Sequence, residues 1–453
     1  MAAQCDIFGN SVGSEPLSAA ITLSAAPDKM VINSEIHAMG GSTYERPAPL
    51  SLEDVKRHVY LPLSLGIKGF LFWQYRPERL GLESPAWGLT DLEGNMTPWL
   101  EAAVKVNAAL QENAAVILNA SRPRAQVAVL NSKRSQLFDF CVDHRRQMYV
   151  YSVKGAYAMS RSRGYATDVV GEAQMTPAFL ARYSVLYDPF PYYKDAKTCA
   201  VLRQWVENGG TLVAECCFGG YSDDDGLHTT RQPGFGFDKV FGAVEGQATT
   251  ASHFQNAYGE EWPQAGAAAD VVDIVARGAA LGAPADETYK GCCFYQSIRP
   301  TSANCAVIAT FRDGAAAAVC AQYGRGRAIW LGSLVALAYE RLGKVENARF
   351  LDRLIASFSP VRPEFATSDD RVVCAALSAP EGCLLAVDNQ SSRADVAISC
   401  DRARLNGAVL KNILGGDAFP IVTVAGDAGG QGSRARVDLA IRPGGIEVFK
   451  VCQ

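Results

Sequence analysis

A chain of 453 residues, 48% hydrophobic and 20% charged with a formal net charge of -4, is long enough for two or three domains and can bury large cores. The near-neutral balance excludes the basic footprint of a nucleic-acid binder, and the absence of any uninterrupted apolar run of about 18 residues gives no membrane partner. The N-terminus, MAAQCDIFGN, carries neither a basic region nor an apolar core, so the expectation is a soluble, cytoplasmic chain that is not exported.

Residues 1–115 alternate strand and helix. Cys5 to Phe8 reads as a brief apolar strand ending at Gly9 and Asn10. Met30 to Ile32 reads as a second, delivering Asn33, Ser34, Glu35 and His37 to its carboxyl end before the glycine pair Gly40 and Gly41. Ser51 has the place of an N-cap with Asp54 at the capping-box position, and Val55, Val59, Leu63 and Leu65 recur near helical spacing until Gly66. Gly69 to Trp73 (GFLFW) is a third strand, and after an irregular segment a helix runs from about Trp99 to Gln111. This is a piece of a repetitive α/β fold. An eight-stranded barrel typically takes about 250 residues, and three strands alone would expose sheet edges that folded proteins avoid. The segment is therefore expected to pack on a later domain or partner, or to be the last strands of a larger, partial (β/α)8 barrel.

Residues 122–358 form a second α/β pattern. Gln126 to Leu130, Ala166 to Val170, Ser184 to Tyr187 and Thr211 to Cys216 are short apolar strands. Between them lie helices at Gln147 to Arg163, Thr176 to Arg182 and Asp195 to Glu207, which predicts a parallel, doubly wound, flavodoxin-like sheet. A Gly- and Ala-rich insertion around 243–325 carries strand signals at Ala306 to Phe311 and Ala317 to Gln322. The α/β pattern then returns with Arg327 to Leu331 and a helix from about Val335 to Phe358. Pro360 and Pro363 mark a linker, and residues 364–453 read as short strands of a small antiparallel, sandwich-like β domain.

Chemistry concentrates at Glu35 and the loop after Trp73. In α/β barrels the reaction sits at the C-terminal ends of the strands, so Glu35 has the right address if its strand belongs to one. Tyr75, Arg76, Arg79, Glu83 and Trp87 follow the third strand, and Glu35 and Glu83 fall on neighbouring strand ends if the two strands pair. Tryptophan faces with carboxylates and arginine suit a sugar, whose C–H face stacks while its hydroxyls take charged partners. Retaining glycosidases need two carboxyl groups about 5 to 5.5 Å apart. His37, two residues past a strand, reads as structural.

Other motifs are weaker. Asp223, Asp224 and Asp225 before Gly226 lack the glutamate of a calcium loop. The 13 cysteines, including the adjacent pairs Cys216 with Cys217 and Cys292 with Cys293, show no CxxC spacing and read as buried reduced thiols rather than a metal site. Cys216 and Cys217 end a strand where nucleophilic cysteines occur in α/β folds, but without a credible nucleophile elbow. The glycine-rich stretches 234–236 and 429–432 follow no strand and open no helix, so they lack a phosphate-loop context. Asn95, Asn119 and Asn389 fit N-x-[ST], which carries little weight in a chain expected not to be secreted. No cofactor and no metal are expected.

The order of parts, with INSEIHAMG (Ile32 to Gly40), GFLFWQYRPERLGLESPAWG (Gly69 to Gly88), YSVLYDPFPYY and LRQWVENGGTLVAECCFGG, resembles the C-terminal two thirds of a glycoside hydrolase family 42 β-galactosidase. The resemblance implies the end of the barrel, a trimerisation domain and a C-terminal β domain. It makes Glu35, on the barrel's seventh strand, the nucleophile and Gly69 to Trp73 the eighth strand. It also makes Glu83 a residue that binds the galactosyl hydroxyls and Arg76 part of the loop that shapes that subsite, with Trp73 and Trp87 as further sugar-site residues. Family members are retaining enzymes that cleave terminal β-galactosides without a cofactor, and they are trimers. The family's acid/base is the glutamate of an Asn-Glu pair, and no Asn-Glu dipeptide occurs in these 453 residues. The cysteine cluster that holds zinc in some members is also missing. General acid help is typically worth about 10² to 10⁴ in rate, so the expectation is an N-terminally truncated glycosidase, inactive alone. The alternative is a non-catalytic oligomerisation or carbohydrate-binding module.

Overall fold

The computed structural model describes residues 4–37, 44, 50–143, 147–250, 271–284, 287–400, 407–416, 418–424 and 434–452. It is mixed α/β with several sheets, in two compact units: Met1–Arg124 with Glu364–Gln453, and Ala125–Pro363. Gly40, Gly41 and the glycine-rich stretch 429–432 lie outside the described residues.

The first unit begins with a three-stranded parallel sheet in the order Ile7–Asn10, Met30–His37, Gly69–Trp73. The middle strand runs to His37 rather than stopping at Ile32, because pairing on both sides holds its polar residues extended: Asn10 lies opposite Asn33 and His37 opposite Trp73. A helix at Pro16–Ala25 joins the first two strands, where the sequence reading placed none. Its PLSAAITLSA sequence has no polar face, so it lacks the period that marks a surface helix.

Helix Leu52–Leu65 starts as its sequence dictates. The Ser51 hydroxyl accepts from the Asp54 N–H (3.3 Å), the Asp54 carboxylate accepts from the Ser51 N–H (2.8 Å), and Gly66 ends the helix at φ 111°, a conformation glycine adopts without a Cβ penalty. Residues 60–65 of this helix are all buried, so it needs cover on more than one side. Val59 and Leu63 share a core with Ile36 of the parallel sheet and with Leu384 and Val448 of the C-terminal strands. The buried ammonium of Lys56 pairs with Glu53 (3.1 Å) and Glu447, and Arg57 reaches Asp388 at 3.0 Å. Segments read from the sequence as separate domains, 1–115 and 364–453, thus fall within one unit.

The C-terminal part of that unit is two antiparallel sheets. One orders Val372–Ala379, Gly382–Asn389, Ile446–Cys452, Val409–Asn412 and Ala418–Pro420; the other orders Phe365–Thr367, Asp395–Cys400, Arg434–Ala440 and Val422–Val424. Val387, Leu410 and Phe449 from the first meet Val396, Ile398 and Val437 from the second in one core.

The second unit is built on a nine-stranded sheet. Across it lie Thr288–Cys292, Val271–Ala276, Cys305–Phe311, Ala316–Tyr323, Gly326–Leu331, Thr211–Ala214, Val185–Asp188, Val127–Asn131 and Thr167–Gly171. The last five are mutually parallel and the others antiparallel, so the doubly wound reading holds for one half only. The segment 243–325 is not a separate insertion: three of its strands continue the same sheet through the hydrogen bonds of Ala316–Tyr323 to Gly326–Leu331, and Thr288–Cys292 forms the edge. The helix expected from Val335 to Phe358 breaks at Gly343 (φ 62°) into Val335–Leu342 and Asn347–Phe358. The stretch 234–236 does precede a helix, the single turn Phe237–Val240. A helix at Lys133–Asp143 was not foreseen at all.

Candidate active site

Glu35 is the third residue from the end of the central parallel strand, at a β-bulge. The register slips by one residue between Asn33 and Ile36 against Phe70 and Phe72. Before the slip Val31 and Asn33 are the buried residues; after it the buried residue is Ile36. A bulge of this kind re-aims side chains at a strand end. Glu35 and His37 are left partly exposed on the strand's last turn of pleat, and His37 Nε2 lies 2.8 Å from Glu35 Oε1. The strand is anchored below them: the fully buried Asn33 accepts from the Val12 N–H and donates to the Gly13 carbonyl, both at 3.2 Å.

The loop after Gly69–Trp73 folds back over this end. Gln74 N–H donates to Trp87 O (2.7 Å), Leu89 N–H to Gln74 O (2.8 Å) and Thr90 N–H to Tyr75 O (2.9 Å), which clamps the loop at its neck. The Trp99 indole N–H donates to Gly88 O at 2.8 Å, tying the neck to helix Pro98–Glu112. A Cβ on Gly88 would lie 2.3 Å from Pro77 Cγ, so this contact requires glycine. The clamp brings the Trp87 ring to 4.0 Å from the His37 ring, centroid to centroid. Glu35, His37 and Trp87 therefore form one contiguous group, with Trp73 opposite His37 in register.

The remaining residues singled out from sequence lie further out along the loop. Trp73 and Tyr75 are exposed, Arg76 passes beside Gly94, and Glu83 is exposed at a turn where its carbonyl accepts from the Ala86 N–H at 2.7 Å. Among the described residues no hydrogen bond or ion pair joins Glu83 or Arg76 to Glu35. Sequence reasoning missed Gln74. Its Nε2 and the Trp87 Nε1 are buried N–H donors with no acceptor among the described residues, which leaves both able to serve a ligand. The signal was available: Gln74 directly follows the strand's last residue.

The other motifs resolve into structural roles. Asp223 pairs with Arg134, Asp224 accepts the Ala196 N–H (3.0 Å) and Asp225 the Leu227 N–H (3.0 Å). All thirteen cysteines are unbridged, but they are not uniformly buried, since Cys141 is exposed. Cys217 takes φ 58° in the turn after Thr211–Ala214, yet is only 7% exposed, and its N–H donates to Gln296 Oε1 at 2.9 Å. At the same sheet end the fully buried Glu215 Oε1 accepts from the Tyr187 hydroxyl (2.6 Å) and from the Ala336 (2.7 Å) and Val335 (3.0 Å) N–H groups. Burial nonetheless pushes this carboxyl up to about 8, against the pull of those three donors. No helix among the described residues is long and apolar enough to cross a membrane.

Comparison with known proteins adds to this geometry. Residues 125–359, just over half the chain, match the family described as the β-galactosidase trimerisation domain. The β-galactosidase YesZ of Bacillus licheniformis is 25% identical over 166 residues, 37% of this chain and 24% of that protein. Among solved structures, a β-galactosidase from Bacillus circulans sp. alkalophilus superposes with a TM-score of 0.72 at 15% identity, covering 100% of this chain and 61% of its own. Gan42B, a GH42 β-galactosidase from G. stearothermophilus, gives 0.74 at 16%, covering 100% of this chain and 60% of its own. This chain thus spans about three fifths of the length of the solved structures it matches.

Proposed function

This chain belongs to the glycoside hydrolase family 42 β-galactosidases, and from that premise we propose that it carries the nucleophile half of a retaining β-galactosidase site, with Glu35 as the nucleophile. The observation that supports this most is the position of Glu35: a partly exposed carboxylate at a bulge on the carboxyl end of the central strand of a parallel sheet, 2.8 Å from His37, which itself lies against Trp87 and opposite Trp73. In this reading the three strands are the last of a (β/α)8 barrel. A Glu35 oxygen attacks the anomeric carbon of a terminal β-galactoside as the bond from that carbon to the aglycone oxygen breaks, a departure that for an ordinary aglycone needs a proton from a general acid. Water then cleaves the galactosyl ester. Trp73 and Trp87 offer faces to the sugar, and Arg76 and Glu83 bind its hydroxyls when the loop closes on it. Nothing in this division of labour protonates the leaving group. The 453-residue chain alone is therefore inactive towards ordinary galactosides.

The test separates attack from protonation. A 2,4-dinitrophenyl 2-deoxy-2-fluoro-β-galactoside has a leaving group that needs no proton, and its fluorosugar is lost slowly from an enzyme ester. The expected result is a single fluorogalactosyl adduct on Glu35 by peptide mass spectrometry, none on the Glu35→Gln protein, and no turnover of 4-nitrophenyl β-galactoside by either. An adduct on another carboxylate would overturn the assignment. Turnover of the nitrophenyl substrate that Glu35→Gln abolishes would overturn the inactivity.

A second reading is supported by the match itself, whose residues 125–359 exclude Glu35. In it the chain is a non-catalytic oligomerisation or carbohydrate-binding module, and no adduct forms. Under either reading the chain assembles as a homotrimer, which sedimentation would show as three times the 48.5 kDa protomer mass.

A further inference from the structure

Glu35 and His37 stand two residues apart on one strand, so their side chains share a face. His37 Nε2 lies 2.8 Å from Glu35 Oε1, and among the described residues no other side chain hydrogen-bonds the Glu35 carboxylate. An ionised carboxylate can only accept, so Nε2 carries the proton and donates it. The contact engages Oε1 and leaves Oε2 without a partner among the described residues. The imidazole is itself held by the Trp87 ring, 4.0 Å away at 43°, and Trp87 is fixed in turn at the loop neck, where its carbonyl accepts the Gln74 N–H at 2.7 Å. A histidine at this place reads from the sequence as structural. Yet the two side chains are 39% and 42% exposed, and pairs so open to water add little to stability. The consequence of the contact falls on Glu35, whose carboxylate it fixes in one orientation.

We propose that His37 is the positioning residue for the Glu35 nucleophile: its Nε2–H holds Oε1, so that Oε2 is the oxygen presented to the anomeric carbon. The inference rests on the function proposed above and adds the group that orients the attack. As the bond from Oε2 to the anomeric carbon forms and the bond to the aglycone breaks, Oε1 becomes the carbonyl oxygen of the ester and stays under the Nε2–H. When water cleaves that ester, the electron pair of the broken bond returns to the carboxylate and its charge spreads onto Oε1, where the same donor meets it. His37 keeps its proton throughout. Holding a reacting atom in line lowers the barrier without a new contact to the sugar, so the effect falls on the rate of attack rather than on sugar affinity.

The full chain and two variants would be labelled with the 2,4-dinitrophenyl 2-deoxy-2-fluoro-β-galactoside, whose phenolate leaves without a proton. Following the adduct by mass spectrometry over a range of sugar concentrations separates the maximal rate constant from the half-saturating concentration. His37→Phe keeps a ring against Trp87 and has no donor, whereas His37→Gln keeps an N–H donor and has no ring; circular dichroism establishes that each is folded. The expected result is a maximal rate constant lower by about 10- to 100-fold in His37→Phe, the worth of a hydrogen bond to a charged group, at an unchanged half-saturating concentration, with most of the loss recovered in His37→Gln. A parental rate in His37→Phe overturns the inference and leaves the proposed function intact, as does a loss that His37→Gln fails to recover or that appears in the half-saturating concentration. No adduct on Glu35 of the parent overturns the proposed function and the inference with it. Should either variant fail to fold, the ring-nitrogen NMR spectrum of His37 decides: an Nε2–H resonance that shifts in Glu35→Ala supports the pair, and one that Glu35→Ala leaves unchanged overturns it.

Discussion

In the nine-stranded sheet the parallel strands are sealed: residues 127–130 and all of Val185–Asp188 and Thr211–Ala214 are buried, and Trp330 on the next strand has no exposed surface. In the three-stranded sheet Ile7, Leu71 and Trp73 are 53%, 54% and 43% exposed, and among the described residues each outer strand pairs on one side only. The same alternation of strand and helix thus yields one sheet whose side chains are committed to packing and one whose strand ends remain available. The candidate chemistry lies on the second. The difference teaches that a large aromatic residue at the end of a parallel strand means stability in one sheet and access in the other.

Exchanging tryptophans would break or sharpen this contrast most strongly. Trp330→Ala should cost about 3–5 kcal/mol in chemical denaturation, because it leaves a cavity in a closed core. Trp73→Ala should cost under about 0.5 kcal/mol and act instead on fluorogalactosyl labelling of Glu35. Equal losses from the two would show that the first sheet is as tightly committed as the second.

Burial in the closed sheet also has a signature in pH. Glu215 is held near 8 in the folded chain against its ordinary value of 4.5, so the folded state binds the extra proton between those values. Its contribution to stability is complete below about 4.5 and is lost as pH rises towards 8, with a slope of at most about 1.4 kcal/mol per pH unit. Between pH 6 and 7.5 the unfolding free energy should fall by up to about 2 kcal/mol from this group. Glu215→Gln, which stays neutral, should flatten that slope in urea titrations; an unchanged slope would place the titration elsewhere.

A smaller loss than those at Trp330 and Glu215 is expected at the helix that supports the open sheet. Ser51→Ala removes the acceptor for the Asp54 N–H and should cost about 1 kcal/mol, read as a lower urea midpoint with an unchanged m-value. A larger loss would mean that the cap also holds the sheet above it in place.

Much of the local structure was legible in the residues. Ser51 with Asp54, and Asp195 before Ala196, each set a helix start, since these caps satisfy N–H groups within three residues of themselves. Two of the helices absent from the sequence reading break the usual patterns. Pro16–Ala25 has no polar face, and Lys133–Asp143 packs Phe138 inward while Leu137, Phe140 and Val142 stay exposed, so periodicity gave no clear face. At the candidate site, the apolar start of the strand at Met30 could be read directly, but not its run through Glu35 to His37. The bulge beneath Glu35, the His37 contact and the neighbourhood of Trp87 could not, because they depend on pairing with a strand some 35 residues away and on a loop folding back.

By itself the sequence determined the elements, their alternation and the address of Glu35, all of which arise from interactions between near neighbours in the chain. Tertiary structure alone decided that residues 1–124 and 364–453 share a core, that the segment 243–325 extends the second sheet, and that Gln74 and Trp87 hold buried donors near the strand end. Those outcomes depend on which apolar faces find each other across hundreds of residues, and hydrophobic burial is non-directional, so sequence spacing does not encode the choice of partner.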